Sequence, residues 1–316
     1  FTDASREIKG NNECLNLTRQ ELIRGVHEAY IAAGADIIET NTFSANRISQ
    51  AEYGCGNHAR EMAMAGAKIA REAADRSGRK VWVAGSIGPT GKSLTLASDL
   101  SKPAFRAVDF DEMAEAYAEQ ISGLAEGGAD LLLIETCFDA LNAKAAIHAA
   151  GKVAPQLPVM VSVAVSDMSG RTLTGQTLEA FYTSVRHAGL LSFGLNCSFG
   201  ASTLEQFVVE LDPALGCALS FYPNAGLPNE MGQYDESPQV MGEAIGRIAR
   251  RGLVNIVGGC CGTSPEHIAA IAGAVAGVSP QALPEPERVR PSLTVCGLEC
   301  ATIDKERSLL TNIGER

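Results

Sequence analysis

Seven short apolar runs, at residues 35–41, 81–87, 130–136, 158–165, 192–198, 217–223 and 255–261, punctuate the chain. Longer amphipathic stretches separate them, at 18–33, 57–77, 109–127, 139–153, 177–187, 201–211, 237–250 and 265–276. The short runs are apolar at successive positions, so strands built from them must be covered on both faces. Alternation of such strands with helices specifies a parallel sheet with its helices outside. A (β/α)8 barrel takes ~250 residues and eight strands. Here a helix precedes the first of seven runs. The expected fold is therefore α/β, a (β/α)8 TIM-type barrel whose first strand is missing from the chain. The alternative, a doubly wound open sheet, lacks a glycine-rich dinucleotide loop in support. A faint internal echo, Gly34-Ala35-Asp36-Ile37-Ile38-Glu39-Thr40 against residues 128–136, suits the repetition of a barrel.

Composition narrows the class. Hydrophobic residues at 46% and charged residues at 20% supply a large core. A net charge of -11 lacks the basic footprint that nucleic-acid binding requires. No apolar run reaches the ~18 residues of a membrane helix. Nine cysteines, an odd number in a core-rich chain, read as reduced thiols of a cytoplasmic protein. The chain starts at Phe1, not Met, which leaves a missing leader open. Thr18 with Glu21 fits a capping box, and Ser264-Pro265 fits an N-cap followed by a helical proline. Beyond Gly277 the texture changes: Pro280, Pro284, Pro286 and Pro291 mark a linker. The expected division is a barrel domain at 1–278, then a linker and the start of a following domain at 279–316. The stretch 293–316 is too short to fold alone.

Chemistry concentrates at the C-terminal ends of the expected strands, the functional face of a parallel barrel. There lie Glu39, Thr40 and Asn41, then Ser86, Glu135-Thr136, Asn196-Cys197, Asn224 and the adjacent pair Cys260-Cys261. Neighbouring cysteines rarely bond to each other, because that disulfide strains the backbone. Flanked by Gly258, Gly259 and Gly262, both can instead turn toward one metal ion. Cys197 alone reads as core packing; with the pair it completes a three-thiolate zinc site with an open position. Such an anionic site is a poor Lewis acid for hydrolysis. It suits a substrate thiol as fourth ligand, held ionised near neutral pH although a free thiol has pKa ~8.5. The implied chemistry is alkyl transfer to sulfur. A single catalytic cysteine is the alternative, but the five histidines all fall on helical segments. Glu135, at a buried strand end, is either paired structurally or awaits a cation such as a substrate α-amino group.

The stretches Gly194-Leu195-Asn196-Cys197 and Gly258-Gly259-Cys260-Cys261-Gly262-Thr263 resemble the homocysteine S-methyltransferase family. Four further stretches resemble, more narrowly, the homocysteine-binding domain of cobalamin-dependent methionine synthases. They are Lys9-Gly10-Asn11-Asn12, residues 35–43, residues 169–177 and residues 222–229. The end of the chain, 311–316, is similar to the first strand of the folate-binding domain of those enzymes. The resemblance implies zinc held by Cys197, Cys260 and Cys261, with Asn224 at a loop position that fills the open site before substrate arrives. It implies that Glu135 holds the homocysteine amino group, with Thr40, Asn41 and Ser86 around the substrate. It also implies methylcobalamin as donor, carried on another domain of the full-length protein and recharged on a folate-binding domain. Two departures stand out. The family's first strand, with its Asp-Gly-rich segment, is absent, and Ser86 stands where some members carry an acid. Two rival readings follow: a stand-alone methyltransferase using a sulfonium donor, and a zinc- and homocysteine-binding module that is inactive without its partner domains.

Overall fold

The computed structural model describes residues 8–99, 101–283, 292–304, 310, 311 and 314. Its centre is a seven-stranded parallel sheet in sequential order. The strands are β1 (Ile37–Glu39), β2 (Trp82–Ile87), β3 (Leu131–Cys137), β4 (Val159–Val163), β5 (Ser192–Gly200), β6 (Ala218–Asn224) and β7 (Ile256–Val257). Eight longer helices surround it: α1 (Gln20–Ala32), α2 (Ala59–Arg76), α3 (Phe110–Glu126), α4 (Ala140–Val153), α5 (Leu178–Val185), α6 (Ala201–Leu211), α7 (Pro238–Arg250) and α8 (Pro265–Val275).

Side-chain alternation divides the sheet into two faces. Ile38 and Val83 point outward, into a cluster with Ile31 of α1 and Ala70 and Ala73 of α2. Ile37, Ala84, Leu131, Leu133, Met160, Tyr222 and Ile256 point inward and share a second cluster. Residues of β1 and β7 meet in one interior only because the sheet curls, as a TIM-type barrel does. Among the described residues no strand joins β7 to β1. Helices span that seam: the Tyr30 hydroxyl at the end of α1 donates to the Thr263 carbonyl ahead of α8, at 2.8 Å. Gly34 lies so close to α8 that a Cβ there would come 3.3 Å from Ala272.

Polar caps set the helix starts. Asp109 and Glu112 form a reciprocal capping box on α3. Asp139, Thr177 and Ser237 cap α4, α5 and α7, and Ser264 caps α8 ahead of Pro265. The echo between residues 34 and 128 has a backbone cause: both glycines take left-handed φ, 104° and 93°, where a helix turns into the next strand.

Two local expectations need correction. Thr18 does not cap α1: it ends a short helix, Leu15–Thr18, and its hydroxyl donates to the Cys14 carbonyl, so α1 starts just beyond Arg19. The last strand is two residues long rather than seven, which leaves Cys260 and Cys261 in the turn beyond it. The tail also carries structure, an antiparallel hairpin of β8 (Ser292–Cys296) and β9 (Cys300–Asp304). Its turn is held against the start of α5, where the Thr177 amide donates to the Leu298 carbonyl at 2.9 Å. The linker prolines Pro284, Pro286 and Pro291 and most of 311–316 lie outside the described residues. No described helix is long and apolar enough to cross a membrane.

Candidate functional site

Two strand ends break register on the functional face. Pairing shifts between Ile134 and Cys137 on β3, and between Cys197 and Gly200 on β5. Thr136, Cys197 and Ser198 there take left-handed φ of 55°, 60° and 66°, unusual for residues with a Cβ. These bulges re-aim the side chains. A buried amide ties them together: the Thr136 amide donates to Asn196 Oδ1 at 3.0 Å, and Asn196 Nδ2 donates to Thr136 Oγ1 at 2.8 Å. The same Asn196 nitrogen stands 3.7 Å from Cys260 Sγ.

The third element is the turn after β7. The Cys260 amide donates to the Pro223 carbonyl at 2.7 Å, and the Cys261 amide to Asn224 Oδ1 at 3.1 Å. Thr263 closes the turn, its hydroxyl donating to the Cys260 carbonyl at 2.7 Å. Glycines are required here by contact. A Cβ on Gly259 would lie 2.4 Å from the Thr263 methyl, and one on Gly262 2.3 Å from Tyr234 Cβ.

Together these elements bring the three cysteines into one cluster. Cys261 Sγ lies 3.9 Å from Cys197 Sγ and 3.9 Å from Cys260 Sγ. All three sulfurs fall within 4.8 Å of one another, and among the described residues this is the one such group of potential metal ligands. A tetrahedral zinc with Zn–S bonds of ~2.3 Å sets its sulfurs ~3.8 Å apart, so the spacing fits the ion. The charges argue the same way. Contacts from the Cys260 and Cys261 thiols push the Cys197 thiol far down, while the contacts from Cys197 and Cys261 push Cys260 up. One thiolate is easily formed, but further negative charge on the cluster calls for a cation.

Glu135 extends from β3 into the barrel interior and is 4% exposed. Ser86 Oγ donates to Glu135 Oε1 at 2.5 Å. Burial pushes the Glu135 carboxyl well up, and repulsion from Glu39 adds to it. Glu39, inward-facing like Ile37, is itself pushed up to about 7 by the protein packed around it. Water still reaches its side chain. The buried Tyr222 and Ser162 hydroxyls share this interior without an aligned hydrogen bond.

The remaining expected residues take supporting positions. Thr40 Oγ1 accepts from the Ser86 amide at 3.0 Å and pairs with Thr42 Oγ1 at 2.6 Å. The Asn41 side chain turns to the N-terminal segment, donating to the Asn12 carbonyl and Asn16 Oδ1, both at 2.9 Å. It borders a separate cleft of about 490 Å³ that no cysteine lines. Asn224, 3% exposed, holds the Cys261 turn. Sequence reasoning placed Asn196 and Thr136 on the functional rim without assigning either a role, and gave none to Tyr222. The one signal was a polar Asn196 placed directly before Cys197 in an apolar run.

The family model described as homocysteine S-methyltransferase matches residues 2–275. Among solved structures, the chain is similar to the homocysteine methyltransferase MmuM from Escherichia coli. The oxidised form matches with a TM-score of 0.68 at 21% identity, covering 82% of this chain and 86% of that one. The metallated form matches with a TM-score of 0.66 at 22% identity, covering 85% and 90%. At this identity the likeness speaks for the fold. A more distant likeness, with a TM-score of 0.54 at 13% identity, is to an amine oxidase from Pseudomonas geniculata; it covers 83% of this chain and 46% of that one.

Proposed function

The chain belongs to the homocysteine S-methyltransferase family, and on that premise we propose that it methylates homocysteine to methionine at a zinc site formed by Cys197, Cys260 and Cys261. The observation that carries this reading is the convergence of the three sulfurs at the strand ends. The similar MmuM exists in a metallated form, which supports a metal here. Bound zinc would supply the positive charge that keeps a fourth, substrate sulfur ionised near neutral pH.

The chain's own residues do the rest. Glu135, braced by Ser86, receives the substrate ammonium, and Glu39 adds a second negative charge to the same interior. Asn196 orients Cys260 and the β3 bulge together. Asn224 holds the turn of Cys261, and its side-chain oxygen would be the group offered to the metal before substrate arrives. The thiol proton passes to solvent first. The sulfur lone pair then attacks the methyl carbon, a C–S bond forms, and the electron pair of the broken bond departs with the donor.

We further propose that the donor is methylcobalamin carried by another domain, with the chain acting as the homocysteine module of a cytoplasmic cobalamin-dependent methionine synthase. The long stretches at 169–177 and 222–229 and the continuation past residue 275 favour this over a sulfonium donor. Replacing any one of the three cysteines by serine should remove zinc, read by elemental analysis, and bring methyl transfer to background. Normal turnover by Cys261→Ser would overturn the zinc reading. Assaying the chain with free methylcobalamin against a sulfonium donor decides the donor. Binding of zinc and homocysteine without turnover from either would make it a module dependent on its partners.

A further inference from the structure

The cysteines outside the candidate zinc cluster differ sharply in setting. Cys14, Cys55 and Cys137 are buried, whereas Cys217, Cys296 and Cys300 are partly open. Cys296 and Cys300 face each other as the last pair of the β8–β9 ladder, across the turn Gly297-Leu298-Glu299. Opposed residues in an antiparallel pair have Cα atoms ~4.5–5.5 Å apart, inside the ~4.4–6.8 Å that a disulfide spans. The side chains share one face of the hairpin. Two residues along each strand, on that face, Thr294 Oγ1 and Thr302 Oγ1 approach to 3.1 Å. The face rests on α5, where Cys300 Sγ donates to Thr183 Oγ1 at 3.4 Å.

We propose that Cys296 and Cys300 form a reversible disulfide that locks the tip of the hairpin. The oxidant class is a small disulfide such as oxidised glutathione. One cysteine loses its proton and its thiolate attacks a glutathione sulfur, expelling one glutathione thiolate. The second cysteine, deprotonated in turn, attacks the protein sulfur of the mixed disulfide and expels the other. Two protein thiols are oxidised, one glutathione disulfide is reduced to two thiols, and the two protons pass to them. A directly opposed pair in a short hairpin makes a strained, accessible bond, the kind that is easily reduced again.

The tip is also an anchor. Gln176 Nε2 donates to the Gly297 carbonyl at 3.0 Å, the Thr177 amide to the Leu298 carbonyl at 2.9 Å, and Arg171 pairs with Glu299. These residues belong to the loop between β4 and α5, at the C-terminal face that carries the thiol cluster. Oxidation at 296 and 300 therefore stiffens the support of a loop at the barrel mouth.

The test uses the zinc-loaded protein, incubated with oxidised glutathione, denatured, alkylated and digested with trypsin. Both cysteines fall in one tryptic peptide, since no Lys or Arg lies between Arg290 and Lys305. The expected peptide is unalkylated and lighter by two hydrogens, and dithiothreitol restores two alkylation sites. Cys296→Ser and Cys300→Ser should each leave a single thiol that carries one alkyl group or one glutathione. A wild-type peptide that stays doubly alkylated while other cysteines oxidise, or that stops at a mixed glutathione adduct, overturns the proposal.

Discussion

Glu39 and Glu135 put two carboxyl groups into one interior, and the way each is pushed makes their charge a measurable quantity. Burial raises Glu135, and repulsion from Glu39 adds to it; the protein packed around Glu39 raises its carboxyl too, although water still reaches that side chain. A carboxyl raised in the fold holds its proton more tightly there than in the unfolded chain. Its favourable contribution is present below the ordinary value of 4.5 and is lost as pH rises through about 7. The substrate-free protein should therefore lose stability over that window. Glu39→Gln should flatten the dependence, because the amide does not ionise. An ammonium ligand compensates the charge, so homocysteine should raise Tm more above pH 7 than below pH 5 in the wild type. Thermal melts across pH, with and without homocysteine, check this. An unchanged pH slope in Glu39→Gln would show that its carboxyl carries no such penalty.

At the scale of elements, the turn after β7 decides whether three thiols can meet. Gly262 has φ +80° and no room for a Cβ beside Tyr234. Gly262→Ala should cost ~1–3 kcal/mol through backbone strain, plus whatever Tyr234 must move. It should also weaken zinc binding, because the turn carries Cys261. Chelator competition and thermal melts on the same variant measure the two effects; wild-type values in both would mean that the turn tolerates a side chain. This turn also shows what was legible in the sequence. The glycines around Cys260 and Cys261 announced a tight turn, and that turn brings both thiols together with Cys197. The length of β7 was not legible, because apolar Ile256 and Val257 run into glycine with no polar stop. Asn196 stood on the expected rim, but its role was not legible, because the face to which a strand polar residue points depends on the bulges, and the bulges arise from pairing with other strands. The β8–β9 hairpin was missed because prolines dominate the stretch before it, and its support is tertiary contact with the start of α5.

For the whole molecule, the alternating pattern of strands and helices was enough to specify a parallel barrel, and the helix ahead of the first run was enough to predict a missing strand. How the molecule copes with the seam was not readable, since it rests on contacts between residues distant in sequence, such as Tyr30 and Thr263. Among the described residues β1 and β7 have no sheet partner on their outer edges, and α1 and α8 meet across that gap. The Tyr30–Thr263 hydrogen bond crosses that gap, and it also reaches the turn that holds Cys260. Tyr30→Phe keeps the ring and removes only the hydroxyl. The loss should be ~0.5–1.5 kcal/mol, the usual net worth of one hydrogen bond, with a drop in Tm of ~1–6 °C. The location of the loosening is the stronger test. If the helices close the barrel, amide hydrogen exchange should quicken at the end of α1 and at the start of α8 together, although the substitution touches only α1. Faster exchange confined to α1 would mean that the bond is a local tether and that the seam is held by apolar contacts such as Gly34 against Ala272.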